Sequence, residues 1–189
     1  EITRRVKART GISRFIANGM FDDKEGAEKW AKLMKAWAEA VEEDDCMIIY
    51  HNHDMELDEI EADGRKTTAL EHFFALAGDK VMMQIDLGWA AFAAGDPYAV
   101  LSKYKDRIVS IHLKDLAPEV LKPGVKREDL CADSFVAIGE GGVDYSRLPD
   151  AAAECKNFDG CFIIDQDNSA GSMIEDLKKG CAYIRSMSK

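Results

Sequence analysis

Apolar residues recur along this chain with two periods that alternate from end to end. Residues 2–9 carry the 3.6-residue period of a helix tail, and 12–17 the short alternation of a strand. The clearest helix follows: Ala27, Trp30, Ala31, Met34, Trp37, Ala38 and Val41 share one face, while Lys24, Glu28, Lys32, Lys35, Glu39 and Glu42 share the other. Residues 46–51 are β-favouring and apolar, too short for a helix and flanked by polar clusters, which predicts a buried strand. The polar stretch 58–66 contains Asp63-Gly64 and reads as a hairpin or an excursion from the fold. The rhythm then repeats as helix 67–77, strand 80–86, helix 97–105 and strand 107–113. After a long loop over 117–134 come strand 135–138, helix 146–155, strand 160–165 and a closing helix over 172–187.

Six apolar strands separated by amphipathic helices call for a parallel sheet covered by helices, either doubly wound or closed as a (β/α)8 TIM barrel. Length separates the two. At roughly 31 residues per strand–helix unit, eight units need about 250 residues, the usual barrel size. The chain has 189. The expectation is a single domain over 1–189 holding about six of the eight units of a barrel, whose first two strands come from an upstream segment or are replaced by another copy of the chain.

Composition narrows the function classes. Lys and Arg number 25 against 35 Asp and Glu, a net charge of −10 that repels phosphate backbones and anionic membranes. Nucleic-acid partners are therefore disfavoured, and no apolar run approaches a membrane span. Cys46, Cys131, Cys155, Cys161 and Cys181 form no C-x-x-C pair and no loop framework, which fits a reducing, cytoplasmic compartment.

Reactive groups in parallel α/β folds collect at the carboxyl ends of strands. Here those ends read Tyr50-His51-Asn52-His53-Asp54-Met55-Glu56, Gln84-Ile85-Asp86, Ile111-His112-Leu113-Lys114-Asp115 and Ile163-Ile164-Asp165-Gln166-Asp167. Three of the four histidines fall there; His72, inside a helix, reads as structural. Glu56, Asp86, His112 and Asp165 supply one metal-competent side chain per strand, a donor set suited to Mn²⁺, Mg²⁺ or Co²⁺. An ion so held polarises a carbonyl and its neighbouring hydroxyl while carboxylates move the proton, which is chemistry for an α-hydroxy ketone or aldehyde. Plainer readings stand beside this one. His51 and His53 can be core histidines, Asp86 a helix N-cap, and Lys114-Asp115 a solvated loop. Trp89 can stack on the apolar face of a sugar or pack on a helix, as Phe92 more simply does. Gly139-Glu140-Gly141-Gly142 lacks the Lys-Ser/Thr of a P-loop and reads as a tight turn with Glu140 facing the pocket.

These blocks, together with Leu87-Gly88-Trp89, Ala94-Gly95-Asp96-Pro97 and Ile138-Gly139-Glu140-Gly141, resemble the sugar phosphate isomerase/epimerase family of xylose isomerase-like barrels, from about Ile12 onward. The resemblance implies an eight-stranded barrel with a divalent ion held from its fourth, fifth, sixth and eighth strands. Position by position, those ligands fall on Glu56, Asp86, His112 and Asp165. The family's epimerases use Glu at the first and last of these as acid and base on opposite substrate faces; here the last is Asp165, one methylene shorter. The resemblance thus implies a keto-sugar isomerase or epimerase with Glu56 and Asp165 moving the proton. His51, His53, Trp89, Lys114 and Glu140 would contact the small sugar or polyol substrate. An alternative with the same site is a keto-sugar or ketoinositol dehydratase, in which His51, His53 and Lys114 assist the leaving group. A non-catalytic sugar-binding subunit is a third reading.

Overall fold

A computed structural model describes residues 2–187. The chain divides after Gln84 into two compact units.

In the first unit, α1 (Ile2–Thr10) buries no residue; it is tied down by its basic side chains, Arg4 donating to Asp44 Oδ1 at 2.7 Å and Lys7 to the Asp44 carbonyl at 2.6 Å. The strands β1 (Arg14–Ala17) and β2 (Met47–His51) pair in parallel, Arg14 opposite Met47 and Ala17 opposite Tyr50. Between them α2 (Lys24–Val41) starts at Asp23, whose side chain accepts from Gly26 N and satisfies a first-turn donor. Its buried stripe is Ala27, Ala31, Met34, Ala38 and Val41. Trp30 and Trp37 lie off that stripe and stack edge to face on each other, with Trp37 39% exposed. The small residues of the stripe allow close packing, and the two indoles are too large to join it.

The expected hairpin is β3 (Glu59–Ala62) against β4 (Arg65–Thr68). Asp63 and Gly64 both take positive φ, the backbone a two-residue turn between twisted strands requires. Thr68 then caps α3 (Ala69–Ala77) by accepting from Glu71 N. This helix buries Leu70, Phe73 and Phe74, and each fully buried side chain of that size is worth about 1.5–3 kcal/mol. His72 is buried beside Glu28, 3.3 Å away, in keeping with a structural role. Phe21, Tyr50 and Phe73 form an aromatic cluster with centroids 4.5–5.6 Å apart. β5 (Val81–Asp86) pairs in parallel with β2 over Val81 to Gln84.

The last residues of β5 open the second unit. There α4 (Leu87–Ala94) ends at Gly95, and α5 (Pro97–Tyr104) begins with Asp96 as cap and Pro97 in the first turn, where a missing N–H costs nothing. β6 (Ile108–Leu113) is followed by the two-residue β7 (Asp115–Leu116), which pairs antiparallel with β8 (Phe135–Val136). A short turn over 145–147 leads into α6 (Leu148–Ala153), then β9 (Phe162–Ile164) and α7 (Met173–Met187). β9 pairs in parallel with β6, Ile111 opposite Phe162 and Leu113 opposite Ile164.

One predicted strand is corrected. Residues 135–138 do not form a parallel barrel strand: only Phe135 and Val136 are extended in a ladder, and that ladder is antiparallel. Five strands, not six, carry parallel pairing among the described residues. The cause is Asp115, whose carboxylate accepts from the backbone N–H of Leu116, Gly139, Gly141 and Val143 at 2.9–3.1 Å and folds the glycine-rich turn back onto β7. Gly141 is required there, since a Cβ would lie 2.1 Å from Asp115 Oδ1.

Candidate metal and proton-transfer site

Each unit brings part of the predicted residue set together at the carboxyl end of its strands. In the first unit β2 ends at His51, and the chain turns through Asn52 and His53 into a short turn holding Glu56. Glu56 is fully buried, yet both its oxygens have donors: Tyr50 OH gives to Oε1 at 2.6 Å, and His53 N to Oε2 at 2.9 Å. Burial pushes this carboxyl up, but the hydrogen bonds from His53 and Tyr50 outweigh it and hold Glu56 below the ordinary carboxylate value. Tyr50 is itself fixed by Gly19 N, which donates to its hydroxyl at 3.0 Å, and by the aromatic cluster. The His51 and His53 rings stand edge to face at 5.1 Å, and His53 Nδ1 is 4.0 Å from Glu56 Oε1. Tyr50 is a residue that sequence reasoning left among the apolar strand positions; the i, i+6 relation to Glu56 carries no periodic signal.

The second unit gathers Asp86, His112, Lys114, Asp165 and Asp167. Asp86 is the helix N-cap that one sequence reading gave, and its second oxygen faces Lys114. Its Oδ1 caps α4 by accepting from Trp89 N at 2.9 Å, and its Oδ2 lies 3.8 Å from Lys114 Nζ. Burial raises its pKa to about 6, against the opposing pull of Lys114. His112, near the end of β6, has Nδ1 3.4 Å from Asp165 Oδ2. Asp165 directly follows β9, its N–H donating to the Leu113 carbonyl at 2.9 Å and so continuing the ladder. The contacts from His112 and Lys114 hold its carboxyl well below the ordinary range, outweighing burial.

Lys114 and Asp115 are not a solvated loop: they are 1% and 2% exposed. Lys114 Nζ donates to Asp165 Oδ2 at 2.9 Å and lies 2.7 Å from Asp167 Oδ2. Burial disfavours its charge, yet Asp86, Asp165 and Asp167 together keep it a cation with a raised pKa. Its backbone is gripped too. Tyr145 OH donates to the Lys114 carbonyl at 2.8 Å, and Gly88 passes so close that a Cβ would come within 2.4 Å of that oxygen.

Trp89 is buried, with the Arg127 guanidinium 4.7 Å and the Lys114 ammonium 5.4 Å from its ring and Phe92 and Phe135 against its edges. Glu140 is exposed and paired with Lys179 at 3.0 Å. Arg127, Tyr145 and Asp167 are contacts that sequence alone did not single out. Only Asp167 had a visible signal, a second carboxylate two residues beyond Asp165.

The donor set fits a divalent ion. Ligand atoms of Asp86, His112 and Asp165 lie within 4.8 Å of one another. Metal–ligand bonds of about 2.0–2.4 Å allow ligand atoms to stand apart by up to about twice that length. Two carboxylates and one imidazole suit a hard or borderline cation.

The family described as the xylose isomerase-like TIM barrel matches residues 5–187. An inosose dehydratase of Clostridium botulinum (strain Eklund 17B / Type B) is 27% identical over 180 residues, covering 88% of this chain and 58% of the relative. Among solved structures, a sugar phosphate isomerase/epimerase from Parabacteroides distasonis superposes with a TM-score of 0.75 at 18% identity, over 97% of this chain and 60% of its own. The IolI protein with a bound zinc atom has a TM-score of 0.69 at 13% identity, over 97% of this chain and 66% of its own. The chain thus spans about three fifths of the length of the relatives it matches. Among the described residues no helix is long and apolar enough to cross a membrane.

Proposed function

Because the chain belongs to the xylose isomerase-like TIM barrel family, we propose that it carries the active site of a divalent-metal-dependent enzyme that removes a proton next to the carbonyl of a keto-sugar or ketoinositol, with dehydration as the outcome. The observation that carries this reading is the convergence of Asp86, His112 and Asp165 around a buried, charged Lys114. The ligands proposed within the second unit are Asp86, His112 and Asp165, and the relative with bound zinc supports a divalent cation while leaving Mn²⁺, Mg²⁺, Co²⁺ and Zn²⁺ to metal analysis. When bound, such an ion supplies Lewis acidity to a carbonyl oxygen and the adjacent hydroxyl.

The chain's own residues do the rest. Glu56, kept ionised by Tyr50 and the His53 N–H, takes the proton from the carbon next to the carbonyl. The C–H electron pair becomes the double bond of an enolate, and the Lys114 charge offsets the negative charge that develops on oxygen. His53 donates a proton to the β-hydroxyl, which leaves as water with the C–O electron pair. Asp165 steadies Lys114 and, in the isomerising variant of the reaction, returns a proton to the opposite face. Five free thiols support a reducing, cytoplasmic setting.

Epimerisation is the second reading, supported by the name of the Parabacteroides distasonis neighbour. The short Asp165 argues against it, because about an ångström of misplacement costs on the order of a hundredfold in rate. The test is a panel of ketoinositols and keto-sugars in D₂O with each metal. Dehydration gives one equivalent of water and an unsaturated or diketone product, and epimerisation gives an isomer with deuterium at the α-carbon. Absence of both with the metal-loaded protein sinks the proposal.

A further inference from the structure

Lys114 Nζ has three carboxylate neighbours within 4 Å, Asp86, Asp165 and Asp167, and of these Asp167 alone stands outside the donor cluster. Asp165 Oδ2, at 2.9 Å, is also the oxygen nearest His112 Nδ1 and is a ligand in the reading proposed above, on which this inference rests. Asp167 Oδ2, at 2.7 Å, stands outside that cluster. An ion on Asp165 must therefore share that carboxylate with a buried ammonium. The lysine cannot retreat, because its carbonyl is held by Tyr145 and its backbone is pressed by Gly88. A buried ammonium that loses its counterion is strongly unfavourable. We propose that Asp167 is a positioning residue: it gives Lys114 a carboxylate of its own, so that Asp165 is released to a divalent ion while the lysine stays charged beside it.

The charges agree with this division. Asp86, Asp165 and Asp167 carry three negative charges, and Lys114 returns one, leaving a balance that a divalent cation neutralises. Without Asp167, the lysine is left with Asp165 and the more distant Asp86, both in the donor cluster, and competes with the ion for them.

The experiment is a double-mutant cycle on divalent-ion affinity, measured by calorimetry with Zn²⁺ and Co²⁺. Asp167→Asn weakens binding about tenfold, and Lys114→Met, which removes the competing cation, tightens it about tenfold. In the Lys114→Met background, Asp167→Asn changes affinity by less than about threefold. An equal tenfold loss in both backgrounds overturns the proposal, because that is what removing one distant negative charge does. Should Lys114→Met not fold, the ammonium protons of Lys114 give a second reading by ¹⁵N NMR in the wild-type protein. With the ion at saturation they stay protected from exchange in wild type and lose protection in Asp167→Asn; loss of protection in wild type overturns the clamp. Failure of the wild type to take up any divalent ion sinks the functional reading alone. The clamp is then decided by whether the metal-free ammonium signal depends on Asp167.

Discussion

Asp86 has two oxygens with two tasks, capping α4 and facing Lys114, and its burial gives a pH dependence with a definite sign. Its pKa rises from 3.8 to about 6 in the fold, so between those values the folded chain binds a proton that the unfolded chain does not. In the metal-free protein its contribution to stability is greatest below the unfolded value and is lost as pH climbs through about 6. A divalent ion must displace that proton. Ion affinity is therefore expected to rise from pH 5 to about 6.5 with a slope approaching one proton per ion, and calorimetry in buffers of different ionisation enthalpy measures the release. His112→Ala is expected to weaken ion binding at least tenfold and abolish activity while the melting temperature barely moves, since Ile108, Val109 and Ile111 hold β6. Collapse of the fold in that variant makes His112 structural. Asp165→Glu, by contrast, should keep the ion. A gain of deuterium exchange with retained substrate would show that the short side chain limits epimerisation.

At the scale of elements, the knot around Asp115 decides how β7, β8 and the glycine-rich turn are arranged. One carboxylate serves four backbone donors, and burial raises its pKa despite them. Asp115→Ala leaves those donors without their acceptor and is expected to cost about 3–5 kcal/mol. Gly141→Ala drives a Cβ into the carboxylate and should cost about 1–3 kcal/mol. Gly171→Ala, with open space around it, should change stability by less than about 0.5 kcal/mol. Chemical denaturation of the three variants checks the order. Most elements were legible from periodicity because each buries one stripe: α2, the β3–β4 hairpin and β6 fall within a few residues of their expected bounds. Residues 135–138 were not, because their partner is a two-residue strand set by a side chain 24 residues away in Gly139's case, and no local pattern reports such a contact.

At the scale of the molecule, β1 is an edge strand with Ile16, and Ile12 just before it, about half exposed, and α7 leaves Met173 and Ile174 in solvent. Unpaired apolar edges recruit partners. The 189-residue chain by itself is expected to self-associate in a concentration-dependent way on size exclusion, and Ile16→Lys to shift it toward monomer. A wild-type monomer with cooperative unfolding counts against the edge as the cause. Sequence by itself determined the alternation of strands and helices, the family, and which side chains stand at strand ends, because these follow from one-dimensional periods and from residue chemistry. It also singled out Glu56, Asp86, His112 and Asp165. Tertiary structure alone decided that Asp86 divides its oxygens between a cap and a cation, that Tyr50 and the His53 N–H keep Glu56 ionised, and that Lys114 lies buried between Asp165 and Asp167. Those outcomes depend on burial and on distances of an ångström or two between side chains up to 53 positions apart, and charge–charge energies in a low-dielectric interior change steeply with both.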